Sequence, residues 1–139
     1  MTDMRSSEID FDQVRRLQKS AQVSKKQRAR ISLHKNDESE VHVMLISLFR
    51  NSHIPIHKHA DREEFYVLLE GRVRINLFSD RGEIIKFVEL ERPSDVKAFT
   101  FYMEKGDWHN LEVLSEHCLL LEVTQGPFNP LFTSTMTIS

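Results

Sequence analysis

Val41-His42-Val43-Met44-Leu45-Ile46-Ser47-Leu48 is a strand-length run of apolar and β-branched residues, and it marks where the periodicity of the chain changes to two. Similar runs follow at Glu64–Glu70, Arg72–Phe78, Ile84–Leu90, Ala98–Met103, Asn110–Leu114 and Cys118–Thr124. Short breakers separate them: Gly71, Ser79-Asp80-Arg81-Gly82, Pro93-Ser94-Asp95, Lys105-Gly106-Asp107 and Ser115-Glu116. Seven or eight strands with no helix between them predict an antiparallel sandwich or barrel. Upstream the pattern differs. Ile9, Phe11, Val14 and Leu17 give residues 8–20 one apolar helical face, with Ser6 or Ser7 as a cap and Glu8, Asp10 and Asp12 near the positive end. Residues 21–40 read as a polar connector, with one strand around Ile31–His34. The stretch from Gly126-Pro127 to Ser139 is expected to leave the last strand and lie across the surface.

Composition narrows the function. The chain has 139 residues, 40% hydrophobic and 29% charged, which suits one globular domain. Its four glycines form neither GxGxxG nor GxxxxGK[ST], so no Gly-rich loop cradles a nucleotide. With Cys118 as its one cysteine, the chain makes no internal disulfide and no cysteine-built zinc site. The opening residues carry no apolar leader core, and no apolar run approaches the ~20 residues of a spanning helix, so a cytoplasmic location is expected. Residues 1–36 hold 9 Lys/Arg against 4 Asp/Glu, whereas the remainder is net acidic. A basic leader suits nucleic acid, but no aromatic interleaves it for base stacking. We read it as a solvated helix that complements its own acidic body.

The chemistry lies in the histidines. His57-Lys58-His59 on a strand places two imidazoles on one face, converging on a point that suits a divalent cation, with Lys58 turned away. His53 shares that face if the strand extends backward. Unbroken parity from His59 would select Glu63, but a bend at Ala60-Asp61-Arg62 resets it in favour of Glu64. His109, just after the Lys105-Gly106-Asp107 turn, is the fourth candidate. Glu122 is a carboxylate inside the apolar run Leu119–Val123, costly there unless paired or used. Tyr66 shares a strand face with Glu64. Cys118 reads as a buried thiol, His117 as exposed, Trp108 as a wall and His34 as a minor candidate.

These residues carry a family resemblance. His57-x-His59-x4-Glu64-x6-Gly71 resembles the first motif of the cupin superfamily, and Gly106-x2-His109 is similar to the core of the second. Val67-Leu68-Leu69-Glu70-Gly71, Gly106-Asp107-Trp108-His109 and Leu121-Glu122-Val123-Thr124-Gln125-Gly126-Pro127-Phe128 resemble the WbuC-type cupin fold metalloproteins. Departures are Asn51 for the Gly that opens the first motif, and Ala98, Glu104 and Val113 for the opening Gly, the Pro and the closing Asn of the second. Asn51 tolerates a left-handed backbone, which would keep the first turn.

The resemblance implies an all-β fold, a single double-stranded β-helix or jelly-roll barrel with a short N-terminal helix. It divides the chain into a helix and connector (1–27), a barrel (28–130) and a tail (131–139). It implies a metal held by His57, His59, Glu64 and His109, the metal being Fe, Mn, Zn or Ni, since ligand type does not choose among them. It implies a metal-dependent enzyme, isomerase- or epimerase-like, acting on a small oxygenated or sugar-derived substrate of bacterial surface-polysaccharide (O-antigen) biosynthesis, with Glu122 and Tyr66 as proton-handling groups. The alternative is a non-catalytic cupin that binds or senses a small molecule. A small-molecule ligand and a homodimer are the expected partners, without membrane or nucleic acid.

Overall fold

The computed structural model describes residues 7–137. One helix, α1 (Phe11–Val23), precedes nine strands: β1 (Arg28–Ser32), β2 (Val41–Phe49), β3 (His57–His59), β4 (Glu64–Phe78), β5 (Ile84–Arg92), β6 (Thr100–Met103), β7 (Trp108–Val113), β8 (His117–Gln125) and β9 (Thr133–Thr135). All named strand pairings are antiparallel. They run β1-β2-β8-β4 and continue β4-β7-β3-β9, so one sheet curls into a half-barrel, with β5 and β6 also on β4. This is the jelly-roll arrangement that the alternation predicts.

Gly71 makes the curl. The runs on either side of it, read as two strands from sequence, are one 15-residue strand. Residues 64–70 pair with β6 and β8, whereas residues 71–78 pair with β5 and β7. A register shift between Leu68 and Glu70 changes the parity at the corner, so Leu68 and Val73 both face the core. Gly71 has φ of 101°, and a Cβ there would lie 2.5 Å from the carbonyl oxygen of His117. Only glycine fits both conditions.

Two apolar clusters hold the layers. Between the sheet faces lie Leu48, Leu68, Val73, Ile75, Leu90 and Leu120 with their neighbours. Outside, α1 buries Leu17 against Leu45 and Leu119, with Ile9, Val14, Ala29 and Ile31 packed around them. Cys118 to Leu121 is therefore unbroken apolar sequence because both of its faces are covered.

The helix starts later than its sequence pattern suggests. Ser6 lies outside the described residues, and the cap is Asp10, not Ser7. Asp10 accepts from the Gln13 backbone while the Gln13 side chain accepts from the Asp10 N–H. Phe11, at the first helical position, falls off the buried stripe and is 71% exposed. The strand expected around residues 31–34 is β1 at 28–32, its inward positions polar and its apolar ones turned to α1. Among the described residues Gln27 takes the positive φ outside glycine, so the turn at Asn51 needs no left-handed backbone. The C-terminal stretch supplies β9, which pairs with β3.

Candidate metal centre

β3 and β7 are antiparallel neighbours, and His57 stands directly opposite His109. His59, two residues on, shares the His57 face. Gly106, with φ of 83°, donates its N–H to the His59 carbonyl (2.9 Å), which ties the turn before His109 to the end of β3. One ring nitrogen of each of these three histidines lies within 4.8 Å of the others. Lys58 points away, its ammonium 4.5 Å from the centre of the Trp108 ring.

Glu64 opens β4 and is 2% exposed. The bend at residues 60–61 does reset parity, so Glu64 and not Glu63 enters the site. Glu64 is not within the mutual range of the three histidines; it stands against two of them, with Oε1 3.1 Å from His59 Nε2 and Oε2 3.0 Å from His109 Nε2. Burial would raise its carboxyl, but the His109 and His59 contacts outweigh that and hold it well below the usual carboxylate range. His53 lies on the chain before β3, exposed and off the site, because β3 is only three residues long.

The far nitrogens set the tautomers. His57 Nδ1 donates to the Pro55 carbonyl (2.9 Å) and His109 Nδ1 to the Asp107 carbonyl (2.8 Å). His59 Nδ1 bonds the Thr133 hydroxyl of β9 (2.9 Å). A carbonyl only accepts, so each Nδ1 donates and Nε2 is the nitrogen left to face the site. His109 Nε2 is buried and makes no hydrogen bond, although the ionised Glu64 oxygen is 3.0 Å away. A buried imidazole nitrogen and a carboxylate oxygen thus lie 3.0 Å apart without a well-aligned hydrogen bond, and a divalent cation between them would satisfy both. The residues fit a divalent metal.

A cavity of about 680 Å³ opens from this centre between the sheet faces. Tyr66 and Glu122, opposite each other on β4 and β8, line it. The buried Tyr66 hydroxyl donates to Glu64 Oε2 (2.7 Å), and burial with the neighbouring carboxylates keeps its proton on. Burial, and then the charge and hydrogen bond of Glu64, push the Glu122 carboxyl well above the usual range, against Arg30 and Arg62. Of the two carboxyls, Glu64 is the ionised one and Glu122 the protonated one. Cys118 is buried, its thiol pushed up to about 12. His117 is half-buried rather than exposed, bonded to the Ser47 hydroxyl (2.8 Å). His34 stacks on His42 at the cavity wall, their ring centres 3.9 Å apart. Sequence reasoning missed Thr133, hidden in a short polar strand, and Arg62, 5% exposed and stacked on Phe128.

Burial, then the adjacent His109, lower the His57 imidazole to about 4. In the unfolded chain it titrates near 6.5, so the charged form favours unfolding, and the contribution to stability is lost as pH falls from about 6.5 towards 4. Glu122 works in the opposite sense, so the effect is read as a difference. In chelator-treated protein, wild type is expected to lose on the order of 1–3 kcal/mol relative to His57→Asn between pH 7.5 and 4.5. Urea midpoints that move in parallel would contradict this.

The comparisons agree with the fold. The chain is similar to the protein SO0799 of Shewanella oneidensis, with 13% identity over 78% of this chain and 73% of that one, at a TM-score of 0.64. It is similar to the oxalate decarboxylase of Lactobacillus farciminis in its formate complex, with 12% identity over 70% of this chain and a TM-score of 0.55. It is also similar to the Bacillus subtilis oxalate decarboxylase with its Mn(II) centres, at 14% identity, over 70% of this chain and 24% of that one, with a TM-score of 0.52. This chain spans about a quarter (27%) of the Lactobacillus enzyme. No curated protein matches the chain by sequence. Fold and site together define a single cupin barrel with a candidate three-histidine metal centre. Within that class, residues 9–90 match the family described as Domain of unknown function (DUF6016), and the chain belongs to it. No helix of the described residues is long and apolar enough to cross a membrane.

Proposed function

We propose that the protein is a WbuC-type metalloenzyme in which His57, His59, His109 and Glu64 hold one divalent ion, and which isomerises or epimerises a sugar-derived substrate of surface-polysaccharide synthesis. The observation that carries the metal is the buried His109 Nε2, which has no hydrogen bond and faces an ionised carboxylate. When bound, the ion supplies Lewis acidity towards a substrate oxygen. Glu122 holds a proton at the cavity wall at neutral pH, available to a substrate oxygen, and the carboxylate left behind would take the carbon-bound hydrogen. Tyr66 keeps its own proton and fixes Glu64 Oε2 through the 2.7 Å bond. The sequence resemblance supports the substrate class. The same reading keeps the division of the chain at residues 28 and 130. It also keeps a homodimer, with exposed Val41, Phe65 and Tyr102 as its contact, and sedimentation as a monomer would remove that part.

An isomerase or epimerase of this kind exchanges a carbon-bound hydrogen with solvent. In D₂O the metal-loaded protein is expected to incorporate deuterium into a nucleotide sugar, followed by NMR. Glu122→Gln is expected to slow that exchange about 100-fold or more while metal content stays unchanged. Wild type that exchanges and converts no nucleotide sugar under any of Fe, Mn, Zn or Ni would favour the non-catalytic binding cupin.

A further inference from the structure

The basic leader does not simply solvate. Strand β1 carries Ala29 and Ile31 towards α1, so the alternate residues Arg28 and Arg30 take the other face. Both line the cavity, as does Arg62 from the segment before β4. Elsewhere Arg74 pairs with Glu89 and Glu112, and Arg72 with Glu91, while Arg50 is held by the Ser115 and Leu114 carbonyls. Those of the cavity converge on one space. Among the described residues no carboxylate lies within 4.0 Å of Arg28 or Arg30. Arg28 reaches only the His53 carbonyl (3.3 Å), and Arg30 only the Met44 sulfur (3.7 Å). Arg62 is 5% exposed, yet its carboxylate contact is the adjacent Asp61 at 3.4 Å, with the Pro127 carbonyl at 3.3 Å.

Charged residues on the inner face of an edge strand also discourage strand addition, which would account for Arg28 and Arg30 alone. It does not account for Arg62, which lies on no strand, is buried, and lines the same space. Neutralising groups are scarce there. Glu64 is engaged by His59 and His109, and among the described residues Glu122 makes no ion pair with Arg30 or Arg62. The buried Arg62 has one long contact to Asp61, the Pro127 carbonyl and the Phe128 ring as partners, and its planar fork suits a further carboxylate or phosphate oxygen. Arg30 is exposed and Arg62 buried, so an anion arriving from solvent would meet the first before the second. At about 680 Å³ the cavity exceeds what a bare inorganic ion fills and suits a metabolite.

We propose that the cavity binds a small organic oxyanion, a phosphate- or carboxylate-bearing metabolite, whose charged group docks on Arg30 and Arg62. Its other end then reaches the centre formed by His57, His59 and His109, and in that respect alone the inference rests on the metal-enzyme reading. The phosphate of a sugar precursor and the carboxylate of a sugar acid share this chemistry.

Calorimetric titration separates them, using glucose 1-phosphate, glucuronate and glucose as probes on wild type, Arg30→Gln and Arg62→Lys. Metal content is measured on the same samples. At least one of the two anions is expected to bind tenfold or more tightly than glucose, and less tightly as salt rises. Arg30→Gln, at an exposed site that leaves the fold intact, is expected to lose about tenfold in anion affinity with metal content unchanged. Arg62→Lys keeps the charge but not the fork and is expected to lose severalfold. The stronger anion identifies the group. Glucose bound as tightly as either anion, no binding by either anion, or wild-type affinity in both variants would overturn the proposal. Anion preference in protein that takes up no metal would sustain this inference while the metal reading fails, and metal uptake without anion preference would do the reverse.

Discussion

Replacing His109 by alanine is expected to lower divalent-metal affinity about 100-fold or more. Losing even a hydrogen-bond partner of a metal ligand typically costs 10–100-fold, so losing a ligand costs at least the upper end of that range. His109 matters most because it is 1% exposed, its tautomer is set by the Asp107 carbonyl, and Nε2 has no partner within the protein. The consequence for stability is large as well. A metal at 100 times its dissociation constant adds about 2.7 kcal/mol to the folded state. Wild type is therefore expected to melt roughly 10 °C higher with metal than with chelator, a difference that His109→Ala abolishes. His57→Ala, at a half-buried position, is the companion variant in case the loss of a core imidazole unfolds the chain. Competition against a chelator dye reads both, and wild-type affinity in His109→Ala would show that the second motif contributes no ligand.

Gly71→Ala is expected to cost about 3–5 kcal/mol, a large share of the 5–15 kcal/mol typical of a domain. Two penalties combine. An L-residue at φ of 101° is strained, and the new Cβ would lie 2.5 Å from the His117 carbonyl oxygen and 3.0 Å from the Cys118 Cα. Neither neighbour can yield, because both belong to the paired strand β8. Gly106→Ala separates the terms: its φ is 83°, but nothing lies within 4 Å of the added carbon. That variant is expected to lose only about 1–2 kcal/mol. Equal losses in urea unfolding would mean that the corner at Gly71 tolerates a side chain, and the account of how the sheet curls would be wrong.

The contrast between those glycines shows what sequence carries. Alternation in Val41–Leu48 and its successors announces strands because one face of each meets the core. It does not say whether Gly71 ends a strand or bends one, since that depends on the approach of His117 at the start of β8, far along the chain. β1 was misplaced for a related reason. Its inward residues, Arg28 and Arg30, are polar and its outward ones are covered by a helix, so its pattern is the inverse of the other strands. Asp10 and Ser7 are equally good caps by type, and Gln13, three residues after Asp10, decides between them. At the site, the spacing of His57 and His59 and the bend before Glu64 are local and legible. Thr133 of β9 is not, because a three-residue polar strand held by backbone bonds has no side-chain signature.

The central claim is that four side chains from β3, β4 and β7 share one ion. Elemental analysis of wild-type protein, purified without an affinity tag and then exposed to Mn, Fe, Zn and Ni in turn, tests it most directly. The account predicts close to one equivalent of a divalent metal per chain, falling below one tenth in a His57→Ala/His109→Ala double variant that still shows the wild-type far-ultraviolet circular dichroism. Wild type that retains no metal under any of these conditions, or a double variant that retains a full equivalent, would contradict it.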